Sequence, residues 1–141
     1  MSNTTITKTV FFKAPPETVW AFLTEKEKLA TWFHPADNDL VEGNDYALME
    51  TSESGIPERV CWGTVLKMIP PKTLEYTFTV KPMNGLMTTV FWTLEEVQGG
   101  TKLSMSHKGV GENGEATLGL LNALDAGWDE HFKALRTAVR T

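Results

Sequence analysis

The 141-residue chain holds one cysteine, Cys61, so no disulfide can form within it and a reducing compartment, the cytoplasm, is the simplest setting. It has no apolar run near the roughly 20 residues that a bilayer-spanning helix needs. Its opening, Met1-Ser2-Asn3-Thr4-Thr5, lacks the basic-then-apolar order of a secretory leader. Positive charge is in deficit as well: 13 Lys and Arg against 18 Asp and Glu leave a formal net charge of −5. A dedicated nucleic-acid binder needs a basic face to neutralise phosphates, and here the bases are scattered among acids. No H-E-x-x-H or Cys-x-x-Cys spacing occurs, so neither a bound metal nor another cofactor is expected. Nor is there a Ser-His-acid or Cys-His arrangement. Gly99-Gly100 is followed by no Lys-Ser/Thr and no helix, so it reads as a hairpin turn and not a phosphate loop.

What remains is the composition of an ordinary globular protein, 41% hydrophobic and 22% charged, read as one domain over residues 1–141. Its clearest element is the last: Leu121, Leu124, Trp128, Phe132, Leu135 and Val139 recur at spacings of three and four, which predicts one amphipathic helix over 118–140. Asn122, Asp125, Asp129, Lys133, Arg136 and Arg140 form its wet stripe. Such a helix spans roughly 30 Å, about the width of a small domain.

Upstream, residues 6–13 read as a strand with Val10 and Phe12 on one face, stopped by Ala14-Pro15-Pro16. Two short helices follow. The first carries Val19, Phe22 and Leu23; the second opens at Thr24-Glu25-Lys26-Glu27, which has the form of a capping box, and ends at His34-Pro35. Short strands are expected at 39–41 and 45–51, then a long one over 58–69 with Trp62, Thr64, Leu66 and Met68 on one face and Cys61 on the other. Leu74, Tyr76, Phe78 and Val80 alternate strictly with polar residues, as do Val90, Trp92 and Leu94 in the next strand and Leu103, Met105 and His107 in the last. Pro82 to Gly85 and Gln98 to Gly100 read as turns. The prediction is an α+β protein: about seven strands in an antiparallel sheet, two short helices after the first strand, and one long C-terminal helix.

These residues, in this order, resemble the family of activators of the 90-kDa heat-shock-protein ATPase, within the START-like (SRPBCC, helix-grip, Bet v-type) superfamily. The resemblance rests on Ala14-Pro15-Pro16-Glu17-Thr18-Val19-Trp20 running into Leu23-Thr24, on Trp32-Phe33, and on Gly63-Thr64-Val65 leading to Pro70-Pro71. It continues through Gly100-Thr101-Lys102-Leu103 to His107 and ends with Gly127-Trp128. It implies a curved sheet gripping the C-terminal helix, with a hydrophobic cavity between them.

The inward faces then nominate a ligand site: Trp62, Leu66, Tyr76, Phe78, Trp92, Met105 and His107 from the sheet, with Leu124, Trp128 and His131 from the helix. Aromatic walls with a few polar handles suit a concave site for a small hydrophobic or amphipathic molecule, the leading functional expectation. The same residues could equally fill a core. A second expectation is an enzyme of the polyketide cyclase or hydrolase type using His107 or His131 with Tyr76. A third is a chaperone-interacting or stress-response module. A monomer or an edge-paired homodimer are both open. Asp125, Asp129, Glu130 and Glu50 are weaker acid–base candidates, expected at the solvated surface.

Overall fold

The computed structural model describes residues 4–80, 86–110 and 117–140. The chain runs β1 (Ile6–Phe12), α1 (Pro16–Thr24), α2 (Lys26–Leu29), β2 (Asp45–Thr51), β3 (Pro57–Ile69), β4 (Thr73–Val80), β5 (Thr88–Val97), β6 (Gly100–Lys108) and α3 (Thr117–Val139). The strands form one curved antiparallel sheet in the order β1-β6-β5-β4-β3-β2, the helix-grip arrangement. The β5–β6 hairpin is tight. Gln98 and Gly99 both take left-handed backbone (φ 50° and 86°) between the paired Val97 and Gly100, and that turn matches the twist of the strands.

α3 lies across the concave face. Trp128, Phe132, Leu135 and Val139 are buried on it, while Leu121, Leu124, Ala134 and Ala138 pack partly against the same core. Its wet stripe is exposed as expected. Lys8, on the inward face of β1, ties the helix down through Nζ contacts to Asp125 (2.6 Å) and Asp129 (2.8 Å). Burial works to lower the Lys8 pKa, but its hydrogen bonds to Asp125 and Asp129 outweigh that and hold it above the ordinary value. Among the described residues, no helix is long and apolar enough to cross a membrane.

Among the described residues there are six strands where about seven were expected, because residues 39–41 form none. The segment is tied instead to α1, α2 and β2: the Leu40 N–H donates to the Thr24 carbonyl (2.8 Å), and two aspartates accept from backbone N–H groups. Asp39 Oδ1 accepts from the Lys26 N–H (2.8 Å) and Asp37 Oδ1 from the Ala47 N–H (3.1 Å). Just before it, Ala36 makes an isolated bridge to Leu48 along the outer edge of β2. The capping box does not form either. Thr24 Oγ1 turns back to donate to the Trp20 carbonyl (3.0 Å), and it is Asp39 that caps the start of α2. The expected Pro82–Gly85 turn lies outside the described residues.

The largest departure is in β3. Cys61, Gly63 and Val65 face inward there, with Trp62 half-buried on the other side, the reverse of the expected alternation. The β3–β4 register slips by one between Val65 and Lys67, leaving Leu66 as the extra, bulged residue. Gly63 sits close against Thr77 of β4: the Thr64 N–H donates to Thr77 Oγ1 (2.8 Å), and a methyl on Gly63 would run into the Thr77 carbonyl. Gly63→Ala is therefore expected to cost about 1–3 kcal/mol as overpacking, read as a lower denaturant midpoint.

Candidate functional site

The space between α3 and the sheet holds a continuous stack of rings. Strict alternation places Phe78 and Trp92 on the concave face of neighbouring strands, and the helical period sets Trp128 and Phe132 over them. Trp128 lies 6.0 Å from Phe78, 5.8 Å from Trp92 and 6.1 Å from Phe132, centroid to centroid. Phe33, just after α2, closes the stack 5.5 Å from Trp128 and 6.4 Å from Phe78. Below it, Trp92 Nε1 donates to Tyr76 Oη (2.9 Å). Burial pushes the phenols of Tyr76 and Tyr46 well above the usual range.

His107 belongs to this floor, and the fold engages both of its ring nitrogens. Trp128 Nε1 can only donate, and it donates to His107 Nδ1 (3.0 Å), so that nitrogen carries no proton. The proton sits on Nε2, which donates to Thr88 Oγ1 (2.7 Å); Thr88 donates in turn to the Phe78 carbonyl (2.6 Å). The histidine has no solvent exposure, and burial pushes its pKa down to about 4. Both ring nitrogens are spent, so His107 has no lone pair to offer a substrate as a base.

At the rim the packing loosens. Phe33, His34 and His131 are each only half-buried. Their rings stand edge-on or tilted to one another: 4.6 Å from Phe33 to His131, 5.2 Å from Phe33 to His34 and 5.5 Å from His34 to His131. Burial lowers the pKa of both histidines; His34 adds to the lowering of His131, and Glu50 opposes that of His34. Leu124, half-buried, lies one helical turn before Trp128. Among the described residues, no three His, Cys, Asp or Glu side chains gather to hold a metal ion.

Of the residues expected to line a site, Tyr76, Phe78, Trp92, Met105, His107 and Trp128 come together in the buried floor, with Leu124 and His131 beside it. Two do not. Leu66 is 48% exposed on the bulge, and Trp62 faces outward with the Arg59 guanidinium over its ring (4.4 Å). Both corrections follow from the reversed side of β3. Cys61, expected on the polar face, is buried, and its thiol is pushed up to about 12 by burial, with Glu50 acting in the same direction. The candidates Asp125 and Asp129 are bound to Lys8. The pocket read from the sequence omitted Phe33. Its signal was the apolar pair Trp32-Phe33 directly before His34-Pro35, too large to be wasted on a solvent loop.

A separate open groove of about 740 Å³ is lined by Phe22 and Lys28 from the first two helices and by Glu130, Lys133, Ala134 and Ala138 from α3.

A family model described as Activator of Hsp90 ATPase homolog 1-like protein matches residues 13–140. No curated protein matches the chain. Among solved structures, protein MLL2253 from Mesorhizobium loti superposes with a TM-score of 0.80 at 24% identity, over 96% of this chain and 96% of that one. CalU16 from Micromonospora echinospora gives 0.77 at 23% identity, over 96% of this chain and 75% of its own. The Aha1 dimer from Colwellia psychrerythraea gives 0.74 at 22% identity, over 96% and 95%. At these identities the likeness is one of fold.

Proposed function

The chain belongs to the Activator of Hsp90 ATPase homolog 1-like family, and on that basis we propose that it binds a small hydrophobic or amphipathic molecule. The observation that carries this reading is the half-buried rim of Phe33, His34 and His131 at the end of a ring stack that is otherwise buried. The ligand would sit against Phe33, Leu124, Trp128 and His131, with Tyr76, Phe78, Trp92, Met105 and His107 as a supporting floor. This is shallower than the hydrophobic cavity between sheet and helix that the family resemblance implies, because rings already occupy that space. Aromatic walls with a few polar groups are the usual lining of such sites.

Binding to the native state alone must stabilise it, by about 2.7 kcal/mol at a ligand concentration 100 times the dissociation constant. For a chain of this size that is a rise in melting temperature on the order of 10 °C. A thermal-shift screen of neutral apolar and amphipathic compounds, with native mass spectrometry of freshly purified protein, is expected to show such a rise or a retained small molecule. Neither appearing would remove the reading.

Family membership favours a second reading, contact with a chaperone, which a pull-down against an Hsp90-type chaperone tests directly. A homodimer fits either reading. The outer edge of β2 is covered by residues 35–37, whereas among the described residues β1 pairs only with β6, so an edge-to-edge dimer would form through β1.

A further inference from the structure

We propose that the molecule held at this rim is a neutral aromatic carrying a hydroxyl group, and that the hydroxyl donates a hydrogen bond to Nε2 of His131. The proposal rests on the small-molecule reading above and narrows it to a ligand class.

The tautomer of His131 leads to it. Its Nδ1 lies 3.4 Å from the Trp32 carbonyl oxygen, which can only accept, so Nδ1 carries the proton. Nε2 is then a lone pair, and among the described residues nothing donates to it. A half-buried acceptor of this kind selects for a ligand that brings a donor, because an unmatched polar group at a desolvated contact costs affinity. The surroundings choose the rest of the ligand. Phe33 stands edge-on to His131 and both are half-buried, with Phe33 backed by Phe78 (stacked) and Trp128 (tilted), so the part-exposed rings of Phe33 and His131 are the surface against which a flat aromatic packs.

Charge excludes the alternative amphiphile, a carboxylate. The groups facing His131 are His34 from the segment after α2 and Glu130 from its own helix, and Glu50 on β2 acts on His34. Burial holds both histidines towards the neutral form, and the other two groups are acids. Among the described residues, the formally charged side chains acting on the two histidines are both acids, so a carboxylate placed against them meets repulsion.

The test compares naphthalene, 2-naphthol and 2-naphthoate by tryptophan fluorescence titration and calorimetry at pH 7.5. On the unaltered protein, 2-naphthol is expected to bind about tenfold more tightly than naphthalene, the worth of one well-placed hydrogen bond, and 2-naphthoate most weakly. His131→Phe should abolish the preference for 2-naphthol over naphthalene, read as the ratio of the two affinities within that variant, and His131→Gln should restore part of it. Naphthalene affinity also reports whether each variant is folded, and the three-probe comparison needs no variant. Equal binding of naphthol and naphthalene, or tightest binding of naphthoate, overturns this inference and leaves the apolar-ligand reading standing. Binding of none of the three, with no hit in the thermal screen, overturns both.

Discussion

Replacing Trp128 by alanine is expected to lower the unfolding free energy by about 4–8 kcal/mol, a large share of the 5–15 kcal/mol that holds a domain folded. Two losses combine. Removing a buried indole from a close-packed core costs about 3–5 kcal/mol through lost transfer energy and the void left behind. Trp128 is 3% exposed and touches Phe33, Phe78, Trp92 and Phe132, rings contributed by both layers, so little can collapse into the gap. In addition, His107 Nδ1 loses its donor in a place water does not reach, a penalty of about 1–3 kcal/mol. Trp128→Phe separates the two, since it keeps most of the ring contact and forfeits only the N–H; about 1–3 kcal/mol is expected for it. Guanidinium unfolding checks both, with the midpoint falling and the slope unchanged. An alanine variant that lost less than about 2 kcal/mol would show that α3 is not pinned through this ring.

Acid should destabilise the fold before its carboxylates are fully protonated. His107 binds its proton at about 4 in the folded chain and near 6.5 once unfolded, the shift arising from burial. Above pH 6.5 both states are neutral at this site, and its full contribution to stability is present. As pH falls from 6.5 to 4 the unfolded chain takes up a proton that the native chain refuses, so stability drops by about 1.4 kcal/mol per unit. The total is about 3 kcal/mol, levelling off below pH 4. His34 and His131 are displaced downward too and act in the same sense over the upper part of that window. Urea unfolding at half-unit steps from pH 7.5 to 4 checks this against His107→Gln, which cannot titrate. The variant should start less stable and show a shallower slope. Parallel slopes for the two proteins would mean that His107 takes up its proton as readily in the folded chain as in the unfolded one, giving up the Trp128 bond at little cost.

Much of this was legible in the residues because local and global preferences agree. β4, β5, β6 and α3 each keep one strict period, two for the strands and 3.6 for the helix, and each lies where that period puts it. β3 misled because its period is interrupted. The bulge at Leu66 depends on how β4 pairs with it, and inside the strand Gly63 marks a close approach to Thr77 that a count of apolar residues does not register. Asp37 and Asp39 act on backbone groups about ten residues away, which short-range spacing cannot reveal. His107 could be assigned to the inner row from alternation alone. That it is saturated and not reactive depends on Trp128 and Thr88, which only the folded chain brings to its two nitrogens.

Tyr46 on β2 is the register partner of Gly63, and its hydroxyl reaches past that bare glycine to the Thr77 carbonyl on β4 (2.6 Å). One side chain therefore straps the border strand to the second strand in, over the head of the one between. β2 cannot unzip from β3 alone, since peeling it away also severs a bond to the interior of the sheet. The margin of the molecule that should breathe most readily is thereby tied to the slow opening of its centre.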